Sequence, residues 1–248
     1  GGGVGGGKTF AMVLDFLKHA NTYGANANGL FVRRVGENLS EVIALTMRIF
    51  PHFGGVYRQR SGWSFVSGPA KGARLRFRHM WDFTAAQISF QGHEFTWVCV
   101  EEVGQYPTPD AIDYLKTRLR SSAGVPCKFR ATANPGGAGH GWLKARYISP
   151  APKGFKVLID PRSGARRVFI PARLEDNPAL TANDPTYEAR LRGLGSATMV
   201  KALRYGDWDI VAGGFLDDIW SPTRHIVERL EIPPSWTRRR SFDWGSSK

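Results

Sequence analysis

The sequence has few cysteines and contains no long apolar run. Its two cysteines among 248 residues, Cys99 and Cys127, are too few for a disulfide framework or for a zinc site made of cysteines alone. The six histidines show no spacing that would make them metal ligands together. No stretch reaches the length of about 18 apolar residues that a transmembrane helix needs. Few cysteines are typical of a reducing, cytoplasmic setting.

The chain also has fewer acidic than basic residues. The chain has 34 Lys and Arg against 21 Asp and Glu, a formal net charge of +13. Such an excess of basic residues is typical of a protein with a polyanionic partner, although net charge also affects solubility when there is no such partner. With 42% hydrophobic and 12% aromatic residues, the chain can build a core, which excludes wholesale disorder. Because it opens directly in a glycine-rich loop, we expect an excerpt of a longer protein, cut at both ends.

Hydrophobic periodicity predicts helices that alternate with strands. Phe10, Val13, Leu14 and Leu17 recur at helical spacing and predict a helix over 8–23 with one apolar face. The apolar run over 95–100 is typical of a strand buried on both sides. The alternation predicts an α/β fold with a mainly parallel sheet. Further helices are predicted over 40–50, 110–120 and 186–205, further strands over 29–34 and 127–132, a β-hairpin within 61–77, and strands and loops over 150–171.

The glycine-rich start has the pattern of a phosphate-binding loop, the Walker A motif G-x-x-x-x-G-K-[ST]. Glycines let backbone N–H groups converge on phosphate oxygens at the positive end of the next helix. Lysine in this pattern reaches the β- and γ-phosphates, and the following hydroxyl binds Mg²⁺. A flexible glycine linker is the alternative, but a linker has no reason to lead into an amphipathic helix. The predicted nucleotide-binding residues are Gly2, Gly3, Val4, Gly5, Gly6, Gly7, Lys8 and Thr9.

Two carboxylates, Glu101 and Glu102, follow the buried strand over 95–100. In P-loop ATPases we expect such a strand beside the one that leads into the phosphate loop. The first acid, the Walker B acid, then holds the Mg²⁺ shell, and the second orients the attacking water. The first acid is usually Asp, so Glu101 is one methylene longer. A solvated strand end is the alternative. With the phosphate loop present, we predict Glu101 as a magnesium ligand and Glu102 as the catalytic base, with Lys8 as the second catalytic residue.

An ordered series of segments resembles the large terminase subunit of tailed bacteriophages over essentially the whole chain. One phosphate loop is a weak signal, whereas several motifs in the right order are a strong one. The segments are 101–106 (EEVGQY), 114–121 (YLKTRLRS), 130–142 (RATANPGGAGHGW), 169–172 (FIPA), 176–178 (DNP), 206–209 (GDWD) and 241–245 (SFDWG).

The resemblance implies a DNA-packaging motor with a nuclease joined to it. It implies a P-loop ATPase domain of the ASCE (RecA-like) type over 1–205, a linker over 206–238, and the first strand of an RNase H-like nuclease over 239–248. Thr132 and Asn134 match the family's coupling motif, although Asn-Pro-Gly-Gly is also ordinary turn chemistry. Asp243 matches the first metal-binding Asp of the nuclease. Its other acidic ligands are not in this sequence, so we expect DNA cleavage only from the full-length protein.

The same resemblance implies cofactors and partners. The cofactors are ATP and Mg²⁺, with a divalent metal for the nuclease of the full-length protein. The partners are double-stranded DNA bound without sequence preference, the portal protein and the small terminase subunit. The chain is expected to form a homo-oligomeric ring (a pentamer) when docked, and a monomer in isolation. The setting is the host cytoplasm, with no membrane.

The sequence departs from the family at several positions. Val4 stands where the phosphate loop often carries Arg, and Gln91 where many relatives have an arginine finger for the neighbouring subunit. Arg118 and Arg120 are candidate substitutes, although exposed basic residues on a helix are more often simply solvated. The family's adenine-contacting segment precedes the phosphate loop and is not in this sequence.

Basic residues concentrate in three clusters, for which DNA contact and solvated surface are both open interpretations. Two rival functions are a cellular P-loop helicase or translocase and a non-catalytic DNA-binding protein with a degenerate phosphate loop. The clusters are Arg33, Arg34, Arg58, Arg60, Lys71, Arg74, Arg76 and Arg78; Arg162, Arg166 and Arg167; and Arg238, Arg239 and Arg240.

Overall fold

The computed structural model describes residues 1–161, 163–193, 197–209 and 222–226, together with 231, 233–237, 239 and 241. Asp243 lies outside these residues, as do Arg162, Arg238 and Arg240. Most of the predicted linker over 206–238 and nearly all of the predicted nuclease strand over 239–248 also lie outside them. The description that follows therefore concerns the predicted ATPase domain.

A six-stranded, mostly parallel sheet forms the centre of the described part and confirms the predicted α/β fold class. The strand order is β2-β3-β4-β1-β5-β6, in which β4, β1, β5 and β6 are parallel to one another. The edge strand β2 pairs antiparallel with β3, and β3 pairs antiparallel with β4, which confirms the hairpin predicted within 61–77. The strands are β1 (Asn28–Arg33), β2 (Gly55–Arg58), β3 (Gly62–Phe65), β4 (Arg74–His79), β5 (Trp97–Val100) and β6 (Lys128–Ala131), followed by a separate hairpin of β7 (Val157–Ile159) and β8 (Arg166–Val168).

The helices largely follow the predicted positions. The first coincides with the predicted range, whereas the helix over 83–90 has no counterpart in the sequence analysis. Asp82 caps that helix by accepting a hydrogen bond from the Ala85 amide at 2.8 Å. The helices are α1 (Lys8–Tyr23), α2 (Leu39–Ile49), α3 (Phe83–Phe90), α4 (Asp110–Lys116), α5 (His140–Leu143), α6 (Pro178–Asn183), α7 (Tyr187–Arg192), α8 (Ala197–Tyr205) and α9 (Pro222–His225).

Alternating side chains divide the core into two layers, one on each face of the sheet. Along β5, Trp97 and Cys99 pack with α1 and α2, while Val98 and Val100 pack with α3 and α4. All four residues of β5 are buried, as expected for a strand covered on both faces. Helices on both sides thereby hold the carboxyl end of β5, and the two glutamates that follow it, in a fixed place.

The buried face of α1 differs in part from the predicted one: Val13 and Leu17 are buried as predicted, but the other two predicted residues are not. Phe10 and Leu14 are 49% and 41% exposed, whereas Phe16 and Ala20 are fully buried. Phe16 meets Trp97 edge-on, with ring centroids 5.2 Å apart, so it faces the sheet. The apolar stripe of α1 is therefore rotated from the predicted one, because a large ring at position 16 buries more surface than Leu14.

The glycine-rich loop does not adjoin the strand that carries the acidic pair, which corrects the expected order. Strand β6 lies between them, since β5 pairs with β6 and the Gly2 amide donates to the carbonyl of Ala133 at 3.0 Å. On its other side, the Gly3 amide donates to the carbonyl of Ala172 at 2.9 Å. The carboxyl end of β6 thus stands between the loop and Glu101, and this places Thr132 next to both.

Candidate active site

The glycine-rich loop wraps around the amino end of α1 in a conformation that glycine makes possible. Gly5 and Gly7 have φ values of 74° and 70°, in the left-handed region. A Cβ on Gly5 would also lie 2.9 Å from a methyl carbon of Leu174. The loop ends where a 16-residue helix begins, so the positive end of that helix dipole faces the cleft beside the loop.

Lys8 is a desolvated cation at the base of this loop. Its Nζ donates a hydrogen bond to the carbonyl of Gly3. Burial lowers the pKa of Lys8 to about 8, although the negative charges of Glu101 and Glu102 act in the opposite direction. An ammonium group that is short of solvent gains more from an anionic ligand than an exposed one does.

Glu101 links the loop to the sheet. It is 1% exposed, and each carboxylate oxygen has its own partner. The Thr9 hydroxyl donates to Oε1, and Nε of Arg33 donates to Oε2 at 2.7 Å. The predicted magnesium ligands Thr9 and Glu101, which are 92 positions apart in sequence, are therefore in direct contact.

Glu102 is held at the next position in an unusual backbone conformation. Its φ of 54° lies in the left-handed region, which residues other than glycine rarely adopt and which is one of the strained conformations found at functional sites. Its amide donates to the hydroxyl of Thr132 at 3.1 Å. Its carboxylate accepts a hydrogen bond from Nε2 of Gln105 at 2.7 Å. Both the backbone and the side chain of Glu102 are thus fixed.

These residues line one cleft of about 370 Å³. Asn134 also lines it, and its buried Oδ1 has no hydrogen-bond partner in the described part of the chain. Asn177 lines it as well, and its Nδ2 donates to the carbonyl of Gly5 at 2.8 Å. The lining comprises Val4, Gly5, Gly6, Gly7, Lys8, Thr9, Phe10, Arg33, Leu45, Glu101, Glu102, Thr132, Ala133, Asn134, Asn177 and Leu180.

Most of the predicted site residues meet in this cleft, but Gly2 and Gly3 do not line it. Their amides, like that of Val4, bond to backbone carbonyls; the Val4 amide donates to Leu203 of α8 at 2.7 Å. Asp243, the predicted nuclease ligand, lies outside the described residues.

The sequence analysis missed Arg33, Gln105 and Asn177 as site residues. Arg33 was placed in a basic surface cluster, whereas the structure buries it against Glu101. Its position at the end of an otherwise apolar strand is the available signal. Gln105 and Asn177 lie within the segments 101–106 and 176–178, which resemble the terminase family, but only the fold shows which groups they contact.

Some of the basic residues contact other side chains, and a second group lies on one side of β4. Arg34 stacks on Trp81, with its guanidinium carbon 4.5 Å from the ring centroid, while Arg120 pairs with Glu94 at 2.9 Å. On β4, Leu75 and Phe77 are buried and the arginines Arg74, Arg76 and Arg78 lie on the opposite side, as predicted. Burial, and then its neighbours Arg78 and Arg74, lower the pKa of Arg76.

The described residues contain no group of three or more His, Cys, Asp or Glu side chains arranged to hold a metal ion. A magnesium ion here would therefore use Thr9 and Glu101 together with phosphate oxygens and water, which is how Mg²⁺ is usually bound beside nucleotides. Within the same residues, no helix is long and apolar enough to cross a membrane.

Comparison with known proteins relates this fold to that of a phage large terminase. No protein-family model and no curated protein matches the sequence. Three crystal structures of the large terminase from a thermophilic bacteriophage match the fold over 94% of this chain, with TM-scores of 0.65, 0.63 and 0.60. Sequence identity is 16–17%, and one of these structures is a complex with ADP. The chain spans about half of those proteins, 53% of the first of them.

Proposed function

We propose that this chain is the ATP-hydrolysing motor domain of a viral DNA-packaging enzyme. One observation carries the proposal: the phosphate loop, the Thr9–Glu101 contact and the Glu102–Thr132 contact converge on one cleft. The fold shared with the large terminase of the thermophilic phage supports the same interpretation. A solvated strand end would not bury Glu101 or fix Glu102 from two directions.

The residues present fit a nucleotide and Mg²⁺. Lys8 is a desolvated cation beside glycines in left-handed conformations, as a phosphate site requires. Thr9 and Glu101 supply a hydroxyl and a carboxylate, the hard oxygen ligands that Mg²⁺ prefers. Asn134 offers a buried carbonyl oxygen that lacks a partner in the described part of the chain, and its amide group is suited to a polar ligand or water.

Each residue then has a definite task. Lys8 would neutralise negative charge on the phosphates of a bound nucleotide, and Thr9 and Glu101 would hold its Mg²⁺. Mg²⁺ in such a site supplies charge neutralisation at the phosphates. Glu102, aligned by Gln105, accepts a proton from the attacking water. Thr132 and Asn134 are the proposed coupling residues: they transmit the outcome of ATP hydrolysis in the cleft to the part of the protein that moves DNA.

The packaging role rests on the whole fold and on charge. A translocating motor grips DNA through its phosphates and ignores sequence, for which a net charge of +13 is suited. By the resemblance to large terminases, the partners would be double-stranded DNA, a portal protein, a small subunit and further copies in a ring. The host cytoplasm would be the setting. A nuclease with its own divalent metal at Asp243 would belong to the full-length protein.

The first test is ATP hydrolysis by the purified chain with Mg²⁺. We expect turnover that Lys8→Ala abolishes and that Lys18→Ala leaves unchanged, because Lys18 is exposed on the same helix, outside the cleft. Hydrolysis that survives Lys8→Ala would contradict the proposed site. Absence of both nucleotide binding and hydrolysis would favour the non-catalytic DNA-binding alternative.

The second test separates a packaging motor from a cellular translocase. The full-length protein, with portal-bearing procapsids and ATP, should protect duplex DNA from added nuclease. Protection should disappear with Lys8→Ala. Translocation along free DNA without any dependence on procapsids would instead support a cellular helicase or translocase.

A further inference from the structure

We propose that Arg33 is a positioning residue that presents a single oxygen of Glu101, Oε1, to Thr9 and the magnesium shell. The proposal rests on the proposed function and extends it to a residue outside the expected motifs. Arg33 acts through Glu101, since its guanidinium bonds the carboxylate oxygen that Thr9 does not use.

The two carboxylate oxygens are divided between two partners inside a dry environment. Nε of Arg33 lies 2.7 Å from Oε2, and the two side chains are 9% and 2% exposed. The Thr9 hydroxyl donates to Oε1. A charge-assisted bond of this length in a buried site has a strict orientation, so the Arg33 contact determines which oxygen faces the cleft.

The guanidinium is itself anchored. Nη1 of Arg33 donates to the backbone carbonyl of Asn38 at 2.6 Å, at the start of α2. The sheet register places the pair side by side, since Val32 pairs with Val100 and the Glu101 amide donates to the Val32 carbonyl at 2.8 Å. The rigid, planar guanidinium of Arg33 therefore links Glu101 to the backbone of Asn38 and acts as a fork with two donor nitrogens.

The need for such a fork follows from the length of Glu101. An Asp at this position would have one fewer side-chain torsion to restrain. Mg²⁺ demands near-ideal octahedral geometry, so a ligand with an extra torsion costs affinity unless something holds it. A buried carboxylate also requires a partner for its charge. Arg33 meets both requirements, whereas Lys, with one nitrogen, cannot donate in the same fork to Glu101 and Asn38.

The test measures binding, apart from turnover. The affinity of the purified chain for the fluorescent nucleotide mant-ADP is measured in EDTA and across a Mg²⁺ titration. For Arg33→Gln we expect the half-saturating Mg²⁺ concentration to rise by about tenfold or more, as for other residues that orient metal ligands. Affinity in EDTA should stay within about twofold of wild type, because Arg33 acts only through the metal ligand.

Matched variants separate positioning from general damage. Arg130→Gln breaks another partly buried ion pair, with Asp15 at 3.0 Å, outside the cleft, and should leave the Mg²⁺ dependence unchanged. Arg33→Lys keeps the charge but loses the fork, and should raise the half-saturating Mg²⁺ concentration by about threefold or more. That variant decides the question if Arg33→Gln does not fold. In a Glu101→Gln background, Arg33→Lys should have no further effect on Mg²⁺ dependence.

Two results would overturn the proposal. One is an unchanged Mg²⁺ dependence in Arg33→Lys and Arg33→Gln. The other is an equal loss of mant-ADP affinity with and without Mg²⁺, which would indicate a merely structural role. If wild type binds mant-ADP but shows no effect of Mg²⁺, the Arg33 proposal fails while nucleotide binding stands. If wild type binds no mant-ADP, the proposed function fails together with it.

Discussion

The hydroxyl of Thr132 accepts a hydrogen bond from the backbone amide of Glu102 at 3.1 Å. The next amide, that of Val103, donates to the Thr132 carbonyl at 2.8 Å. One residue at the end of β6 thus supports the turn that holds the proposed base in its left-handed conformation. A substitution of Thr132 should therefore first alter the orientation of Glu102.

Thr132→Val removes the hydroxyl and keeps the shape of the side chain. The Glu102 amide then loses its acceptor, so we expect a loss of about 1–2 kcal/mol in the free energy of unfolding. ATP hydrolysis should slow by at least about tenfold, because the proposed base is no longer aligned. Thr132→Ser retains the hydroxyl and serves as the control. Urea denaturation and steady-state ATPase rates check both expectations, and equal rates for the two variants would contradict the role.

Glu102→Gln tests the identity of the base. The amide preserves size and hydrogen bonding to Gln105 but cannot accept a proton, so nucleotide affinity should be retained while hydrolysis falls by about 10² or more. Binding of mant-ATP and single-turnover hydrolysis separate the two effects. Near-normal hydrolysis in Glu102→Gln would move the base elsewhere, with Glu101 the first candidate.

His19 predicts an acid sensitivity of the fold. Its Nε2 lies 2.9 Å from the Thr96 hydroxyl, and burial, with a smaller effect of Lys128, lowers the pKa of His19 from 6.5 to about 4. Between these values the unfolded chain binds a proton that the folded chain excludes. The free energy of unfolding should therefore fall as the pH drops from about 6.5 to about 4, by at most about 3 kcal/mol from this residue.

Urea denaturation of wild type and His19→Gln across that pH range checks this expectation. Gln stays neutral, so the variant should lack this part of the pH dependence while it keeps the part that arises from carboxylates. Parallel curves for the two proteins over the whole range would exclude His19 as the cause.

The three arginines on one side of β4 predict that binding to DNA depends on salt concentration. Phosphate contacts release counterions, so log K for duplex binding should fall with log[salt] by about 0.9 per contact. Replacing Arg74, Arg76 and Arg78 with Ala should flatten the slope by up to about 2.7 and weaken unrelated duplexes equally. The competing Arg166→Ala/Arg167→Ala variant is the comparison. An unchanged slope in the triple variant would exclude β4, and a strong preference for one duplex would contradict a motor.

The sequence predicted the elements better than their contacts. Local patterns are enough to place α1, β1, β5 and β6. An amphipathic helix has apolar residues at helical spacing, and a strand buried on both faces has a continuous apolar run. They did not predict that Phe16 rather than Leu14 faces the sheet, since that depends on Trp97, which is distant in sequence. They also placed Arg33 on the surface, because a charged residue is buried only when its partner is present, and that partner lies 68 positions away.

The interposed strand β6 has a mechanical consequence. Its carboxyl end is hydrogen-bonded to the phosphate loop through Ala133 and to the turn of the acidic pair through Thr132, so adjacent residues contact the two halves of the cleft. A displacement of the loop at Gly2 therefore acts on the same short piece of backbone that supports Glu102. The proposed nucleotide cleft and the proposed coupling motif therefore meet at Thr132 and Ala133, which are adjacent in the chain.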